Sequence, residues 1–223
     1  KINSIDGYIG NFTTEIIHGE EKETTNFDHG IIIVATGANE YEPEDNEYFF
    51  GQNDKVITQS KLEELLFSNE NNIKKLRSIV MIQCVGSRNE EHPYCSRMCC
   101  SEAIKNAIKI KELNPAINVT VLFRDIRTYG FKEKYYRMAR EKGILFLRFD
   151  EKNPPEIKTE DSLFRVEVIT PSKDIIYINS DLIVLSAGIV APEENSELAK
   201  KLKVPLNEDN FFLEAHVKLR PSD

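Results

Sequence analysis

The sequence has no excess of basic residues and no long apolar run. It carries 29 Lys and Arg against 37 Asp and Glu, so its formal net charge is -8. This charge argues against nucleic acid or an anionic membrane surface as the main partner, because both require basic patches. The longest apolar stretch, Gly30–Gly37, has the length of one strand, whereas a membrane-spanning helix needs about 18 apolar residues or more. The sequence therefore predicts no membrane span.

The chain also begins without a methionine and without the basic and then apolar pattern of a signal peptide. We therefore expect an internal piece of a longer protein. No cysteine lies outside positions 84 to 100, where all four are found. Clustered thiols, with none left to cross-link the rest of the chain, are typical of a metal or cluster site in a reducing cytoplasm rather than of a secreted disulfide framework. The predicted location is cytoplasmic.

The order of apolar and amphipathic segments predicts an α/β fold. Residues 78–150 alternate strand, helix, strand, helix and strand, which implies a Rossmann-like parallel sheet with right-handed crossovers. Residues 1–37 have the turn glycines and short alternating segments of an antiparallel β-meander. This meander is predicted to end in a buried strand, Gly30–Gly37.

Two of the predicted buried strands end in small residues. The first ends in Ala35-Thr36-Gly37 and the second, Asp181–Gly188, ends in Ser186-Ala187-Gly188. Small residues let a backbone approach a bound dinucleotide or a neighbouring domain. The alternative is an ordinary core strand followed by a turn. The two triplets are candidate cofactor-binding positions.

Glycines are nearly missing from the loop between the predicted strand at residues 78–82 and the predicted helix at residues 101–113. A Rossmann-type domain normally carries its glycine-rich phosphate loop at this place. Here the spacing is Cys84-x10-Cys95-x3-Cys99-Cys100. Four thiolates can hold a [4Fe–4S] cluster. The helix N-terminus favours the thiolate form, and Arg88 and Arg97 add positive charge that could offset a negatively charged cluster.

Spacing alone leaves three interpretations of these cysteines open. Zinc sites made only of cysteine are common, but they usually present paired C-x2–4-C motifs on both sides, and adjacent Cys99 and Cys100 do not match that pattern easily. Free buried thiols or an incidental disulfide are the third interpretation. An iron–sulfur cluster, zinc and inert thiols remain as candidates.

The sequence resembles the flavoprotein A subunit of heterodisulfide reductase and its close relatives. Members of that family are FAD proteins on a thioredoxin-reductase-like scaffold, and they pass electrons between flavin and [4Fe–4S] clusters. The resemblance covers most of the chain. Its most specific parts are the cysteine motif and the C-terminal tail, and the matching segments, in order, are Gly7–Phe12, Ala35–Gly37, Gln83–Arg88, Tyr94–Lys105, Leu185–Gly188 and Phe211–Pro221.

The resemblance implies that Cys84, Cys95, Cys99 and Cys100 bind one [4Fe–4S] cluster next to the flavin. It also implies other electron-transfer subunits of a redox complex as partners, and is compatible with an oligomer. It assigns residues 1–77 to a meander and connector on the FAD-domain side, residues 78–190 to a Rossmann-like inner domain with the cysteine motif, and residues 191–223 to a linker returning to the FAD domain.

Lys105 is the predicted catalytic residue. It follows Cys100 by five positions, about a turn and a half along the helix, so it can flank the cluster and reach towards a flavin ring. A cation near flavin N1 or N5 stabilises the reduced, anionic flavin. The alternative is a solvated helix lysine, as expected for Lys109 and Lys111.

Departures from the family pattern limit what this chain is expected to do alone. It has no Gly-x-Gly-x-x-Gly and no C-terminal Gly-Asp segment to close on FAD, so we expect weak FAD binding or none and no activity in isolation. Without a glycine loop the pyrophosphate has no cradle, so we expect weak or absent NAD(P) binding even if Asp125 contacts a ribose. The competing hypothesis is a non-catalytic Rossmann-like scaffold with structural zinc or free thiols.

Overall fold

The computed structural model describes residues 1–44, 47–68, 70–160 and 163–214, with Glu70 described by its backbone alone. The chain forms two compact units, one made of Lys1–Asn39 with Val190–Asp223 and the other of Glu40–Ile189. The described residues contain no helix long and apolar enough to cross a membrane.

In chain order, the strands are β1 (Ile2–Tyr8), β2 (Asn11–His18), β3 (Glu23–His29), β4 (Asn39–Glu40), β5 (Val56–Thr58), β6 (Ser78–Val85), β7 (Asn118–Phe123), β8 (Leu145–Arg148), β9 (Glu156–Glu160), β10 (Leu163–Ile169), β11 (Ile175–Ser180), β12 (Leu182–Ala187) and β13 (Ile189–Val190). The helices are α1 (Gln59–Ser68), α2 (Glu70–Ile73), α3 (Cys99–Leu113), α4 (Glu133–Glu141) and α5 (Asn195–Leu202), and two 3-10 turns span Glu47–Phe49 and Gly130–Lys132.

The first unit is built on the antiparallel sheet β1-β2-β3 with α5 beside β1. The turn between β1 and β2 requires glycine, because Gly7 has φ 104° and a Cβ there would overlap the carbonyl oxygen of Asn11. On α5, Lys201 Nζ donates to the carbonyl oxygen of Ile2 and bonds Glu197 at 2.8 Å. The predicted antiparallel meander is confirmed.

The apolar run that follows β3 corrects one prediction. A buried strand was expected over Gly30–Gly37, but residues 31–38 have no strand assignment, and the side chains of Ile31 and Ile33 are 70% and 80% exposed. An apolar run is buried as a strand only when neighbouring strands satisfy its backbone and cover both faces. Within the described residues this segment belongs to no sheet.

The second unit is organised around a five-stranded parallel sheet in the order β5-β12-β6-β7-β8. This confirms the predicted α/β class. Helices α1 and α3 pack against one face of the sheet, where Met81, Ile104 and Val184 belong to one core cluster. The antiparallel sheet β9-β10-β11 covers the other face, with Phe164 in a second cluster. Every residue of β12 is buried, as expected for a strand covered on both faces.

Sequence reasoning places most element boundaries in the second unit within one to three residues. Thr58 caps the start of α1, because its Oγ1 accepts a 3.3 Å hydrogen bond from the backbone N–H of Lys61. The second helix expected within residues 78–150 is preceded by the 3-10 turn at Gly130–Lys132, and α4 starts at Glu133. The expected division at residues 77 and 78 falls inside this unit, because β5 pairs with β12 in the same sheet as β6.

A cysteine site at the carboxyl end of the parallel sheet

All four cysteines lie at the carboxyl end of the parallel sheet. Cys84 is near the end of β6, Cys95 lies in the loop that follows, and Cys99 and Cys100 are the first two residues of α3. Cys84 and Cys95 are half-buried, Cys99 and Cys100 are buried, and all four thiols are free. Ligand sites of open α/β sheets form at this end of the strands.

A β-bulge places Cys84 outside the regular strand pairing. Gln83 pairs with Ser186 and Val85 pairs with Ala187, so the register between β6 and β12 skips Cys84. The residue has φ 67°, a left-handed conformation that is uncommon for a residue with a Cβ. Bulges next to functional sites change the direction in which a side chain points, and here the bulge separates Cys84 from the side-chain alternation of β6.

The loop from β6 to α3 keeps further left-handed residues in place by backbone hydrogen bonds. Arg88 N donates to the carbonyl oxygens of His92 at 2.6 Å and Tyr94 at 3.2 Å. Left-handed non-glycine residues cost on the order of 1 kcal/mol or more each and persist only where the surroundings fix them. The left-handed positions of this segment are Cys84, Gly86, Arg88 and Arg97, with φ of 67°, 63°, 61° and 61°.

The small residues after β12 let this chain approach its own cysteine loop. Gly188 N donates to Val85 O at 2.8 Å, and Ile189 N donates to Ser96 Oγ at 2.9 Å. A Cβ on Gly188 would lie 2.9 Å from Ser87 Cβ. Thus the triplet Ser186-Ala187-Gly188 is buried against the loop, and its role in cofactor binding remains a prediction.

A buried polar network lies beside the loop, and sequence reasoning did not find it. Ser186 Oγ accepts hydrogen bonds from Gln59 Nε2 at 3.0 Å and from Gln83 Nε2 at 2.7 Å. Asn106 Nδ2 donates to Gln59 Oε1 at 2.9 Å. All four residues are at most 2% exposed, so their hydrogen bonds connect α1, α3, β6 and β12 in a low-dielectric region. The available signal was Gln83, a polar residue in an apolar strand.

Two of the thiols donate hydrogen bonds to backbone carbonyls, which requires their neutral form. Cys99 Sγ donates to Ala187 O at 3.3 Å and Cys100 Sγ donates to Asp125 O at 3.9 Å. Cys95 Sγ instead accepts from the backbone of Arg97 at 3.4 Å. The described arrangement is one of protonated thiols at the start of α3.

Burial keeps these thiols protonated. It is the main reason that the pKa of Cys99 is raised to about 12 and that of Cys100 to about 11, and the negative charge of neighbouring cysteines contributes in the same direction. Burial also raises the pKa of Cys84, although Arg88 and Arg124 oppose this. Because metal ligation requires thiolates, Cys99 and Cys100 would have to lose their protons in order to act as ligands.

The positive charge of the site comes from arginines on two elements. Arg88 and Arg127 both bond the carboxylate of Asp125, the latter at 3.0 Å. Arg124 follows β7 and bonds Arg88 O at 2.9 Å. Of the two arginines nominated from the sequence, Arg88 lies beside Cys84, whereas Arg97 is exposed. Arg124 was missed as a neighbour because it is 40 positions from Cys84 in the sequence.

The four cysteine thiols are the type of ligand that an iron–sulfur cluster uses, but they are not arranged around a common centre. Four thiols and the arginine charges are the groups that such a cluster uses. Over residues 1–44, 47–68, 70–160 and 163–214, however, no three Cys, His, Asp or Glu side chains are placed to hold one metal ion. The expected cluster therefore remains a proposal, and ligation would require the thiols to leave their present carbonyl partners.

The structure pairs Lys105 with a carboxylate. Its Nζ lies 2.6 Å from Glu63 Oε2 of α1, and its side chain is 56% exposed. This ion pair connects α3 to α1, and the role of Lys105 beside a flavin stays a prediction.

The first small-residue triplet has a different environment from the second. Ala35, Thr36 and Gly37 are exposed. They line a groove of about 520 Å³ in the first unit together with Phe211–Glu214. This triplet is open to a ligand or to further chain, whereas Ser186-Ala187-Gly188 is covered. Of the C-terminal segment used for the resemblance, residues 215–221 lie outside the described residues.

Comparison with solved structures supports the fold. A thioredoxin reductase from T. acidophilum matches with a TM-score of 0.53 and 15% identity, over 100% of this chain and 62% of that one. A cadaverine monooxygenase from Erwinia amylovora, solved with FAD bound, matches with a TM-score of 0.50 and 9% identity, over 90% of this chain and 54% of that one. At these identities the matches show a thioredoxin-reductase-like fold, and nothing of the chemistry.

Comparison of sequences finds relatives that are more than 30% identical to this chain. No family model matches the chain. The A subunit of an H(2):CoB-CoM heterodisulfide,ferredoxin reductase from Methanothermobacter thermautotrophicus is 36% identical over 223 residues, covering 92% of this chain and 33% of that protein. The iron-sulfur A subunit of the CoB–CoM heterodisulfide reductase from Methanocaldococcus jannaschii is 37% identical over 223 residues, covering 92% and 34%. This chain is a homologue of the heterodisulfide reductase A subunit and spans about a third of the length of these relatives.

Proposed function

We propose that this chain is the cysteine-bearing part of an FAD-dependent, iron–sulfur electron-transfer oxidoreductase of the heterodisulfide reductase type, in which Cys84, Cys95, Cys99 and Cys100 hold one [4Fe–4S] cluster. The observation that carries the proposal is that all four cysteines lie at the carboxyl end of one parallel sheet. The relative from Methanocaldococcus jannaschii is named for iron and sulfur. When bound, such a cluster supplies one-electron transfer.

The residues of this chain contribute charge and shape to that site. Arg88 and Arg124 lie beside Cys84 and offset the negative charge of thiolates, as does the positive end of the α3 dipole at Cys99 and Cys100. Gly188 keeps the loop close to β12. These features hold the cysteine loop against the sheet while leaving Cys84 and Cys95 half-exposed.

The flavin site belongs to the complete protein, since this chain spans only about a third of its relatives. Ala35, Thr36 and Gly37, which line an exposed groove of the first unit, are the residues of this chain that we propose to contact FAD. The buried triplet that ends in Gly188 supports the cysteine loop from the opposite strand. Lys105 would have to exchange its Glu63 partner for the flavin.

The proposed partners are electron-transfer proteins of a cytoplasmic redox complex. The relatives are named as one subunit of a larger reductase, and the name of the relative from Methanothermobacter thermautotrophicus includes ferredoxin. A ferredoxin is therefore the proposed electron carrier. NAD(P) is not proposed, because the loop between β6 and α3 offers no glycine cradle for a pyrophosphate.

Iron and acid-labile sulfide, measured on anaerobically prepared intact protein, test the proposal. We expect about four of each per chain, as in other clusters of this type, with loss of both in Cys99→Ala. Ser101→Ala is the matched control, because this hydroxyl lies in the same turn of α3 and has no hydrogen-bond partner among the described residues. Iron that is absent after anaerobic reconstitution, or equal in Cys99→Ala and the parent, would overturn the cluster.

A scaffold domain with structural zinc or free thiols is the second candidate. The observation that favours it is that Cys99 and Cys100 donate to backbone carbonyls and have a raised pKa. The same samples distinguish the two functions. One zinc per chain without sulfide, or four reactive thiols without metal, is the result expected for a scaffold.

A further inference from the structure

A groove of about 530 Å³ lies between α3 and α4 of the second unit. Ile104, Ile108 and Met138 form its apolar part. Ser101 also lines it, and the hydroxyl of this residue is buried without a hydrogen-bond partner among the described residues. The surface of the groove is therefore mainly apolar, which is the composition expected of a recognition site rather than of a solvated crevice.

Exposed aromatic side chains stand at the start of α4 beside this groove. Phe131 is 95% exposed, Tyr129 is 66% exposed and Tyr135, which lines the groove, is 45% exposed. Clustered exposed apolar side chains mark interaction sites. Aromatic residues in particular are enriched at protein interfaces. Hydration of Phe131 in the free protein is unfavourable, and an interface would remove it.

The charge around the groove is opposite in sign to that of the chain. The chain has a net charge of -8, yet the charged residues that line the groove are Lys105, Lys109, Lys132 and a single carboxylate, Glu112. Lys105 is paired with Glu63, so the excess of positive charge on the lining comes from Lys109 and Lys132 against Glu112. A local excess of lysine on an acidic protein is complementary to an acidic partner and guides its approach.

The groove adjoins the cysteine site through two elements. Cys100 is followed directly by Ser101 and, one turn further along α3, by Ile104, and both of these residues line the groove. On the other side, Cys100 Sγ donates to Asp125 O, and the segment that starts there runs into the turn that carries Phe131. A molecule bound in the groove would therefore lie within about one helical turn of the cysteines.

We propose that the groove between α3 and α4 docks an acidic electron-carrier protein next to Cys99 and Cys100. Phe131 is the apolar anchor and Lys132 part of the cationic rim. The proposal rests on the proposed electron-transfer function and adds to it the surface at which the carrier binds. The lysines around the groove favour an acidic partner over a neutral or basic one.

Binding of a ferredoxin of net negative charge to the intact protein tests the proposal. We expect Phe131→Ala to weaken binding about tenfold, corresponding to loss of an anchor side chain. Phe67→Ala is the matched control, since Phe67 on α1 is 93% exposed. Lys132→Glu should weaken binding by a similar factor and reduce its salt dependence, whereas Lys200→Glu on α5 should leave both within about twofold.

Equal affinities of Phe131→Ala and Phe67→Ala would overturn the docking surface. Hydrogen exchange supplies a second criterion: the backbone of residues 129–131, in the turn before α4, should exchange rapidly in the free intact protein and become protected by ferredoxin. Protection before ferredoxin is added would mean that another part of the protein fills the groove, and the proposal would then be wrong.

Iron and sulfide are determined on the same samples. If the protein contains iron but Phe131→Ala leaves its affinity for ferredoxin unchanged, the docking surface alone is wrong. If the protein contains no iron but Phe131→Ala still weakens ferredoxin binding, the proposed function alone is wrong.

Discussion

Gln83 Nε2 donates a 2.7 Å hydrogen bond to Ser186 Oγ, and each of these two residues directly precedes a residue of the cysteine site. Cys84 follows Gln83, and Ala187, whose carbonyl accepts the Cys99 thiol, follows Ser186. Because β6 and β12 pair in register at this point, the hydrogen bond fixes the two strands where the cysteine loop begins. The polar network is thus a structural support of the site.

Ser186→Ala should destabilise the protein. The substitution removes the acceptor of both Gln59 and Gln83 and leaves two buried amide donors unpaired, at a cost of about 1–3 kcal/mol for each group that finds no new partner. The free energy of urea-induced unfolding measures this effect. Ser196→Ala, at an exposed position of α5, is the control. A loss below about 0.5 kcal/mol, within the usual range for surface substitutions, would show that the network does not support the fold.

Gly188→Ala should disturb the cysteine loop. The new Cβ would lie 2.9 Å from Ser87 Cβ and 3.1 Å from Ser96 Oγ, so the loop must move, and overpacking of this kind costs about 1–3 kcal/mol. We expect both a lower unfolding free energy and less iron per chain. Gly30→Ala is a suitable control, because the nearest atom to its Cβ is 3.8 Å away. Unchanged iron and stability in Gly188→Ala would mean that the loop tolerates displacement.

Glu47 should make stability depend on pH. Burial raises the pKa of its carboxyl group, and the negative charge of Glu44 adds to the effect, while hydrogen bonds from the Glu44 backbone and Tyr41 oppose it. Below the unfolded pKa of about 4.3, the group is protonated in both the folded and the unfolded protein. Burying it then costs no folding free energy for desolvating a charge. Stability is then lost as the pH rises through the folded pKa.

Glu47→Gln should therefore stabilise the protein at pH 7 and have little effect at pH 4. The gain should be about 1 kcal/mol or less, because the side chain is only half-buried and solvent screens the charge. Urea unfolding of both proteins at the two pH values gives the comparison, with the exposed Glu42→Gln as control. A variant that is less stable than the parent at pH 7 would contradict the sign of the shift.

The sequence was sufficient for the regular part of the fold because local patterns and tertiary packing agree there. The apolar strands β6, β7 and β12 and the amphipathic helix α3 each have a periodicity that the sheet satisfies. Gly30–Gly37 has an equally apolar pattern but no neighbouring strand within the described residues. Its burial depends on what lies beside it, which a local pattern does not contain. The strand β9 was missed because its residues are mainly polar and it lies at the edge of a sheet.

The site was predictable as a location but not as a set of contacts. Strand, loop and helix order placed the cysteines at the carboxyl end of the sheet. The bulge at Cys84 depends on pairing with β12, about 100 positions away, and no local signal marks it. The contribution of Arg124 likewise depends on where β7 ends beside β6. Contacts between distant segments are therefore the part of this site that local sequence patterns could not predict.

Lys105→Gln separates a flavin role from a purely structural one in the intact protein. The Glu63 pair is exposed on both sides, so its loss should change the unfolding free energy by less than about 0.5 kcal/mol. If Lys105 reaches the flavin, removal of its positive charge destabilises the anionic reduced form, and we expect the flavin midpoint potential to become more negative. Spectroscopic redox titration measures this, with Lys111→Gln near the end of the same helix as control. Equal potentials in the two variants would leave Lys105 as a surface partner of Glu63 and remove it from the catalytic residues.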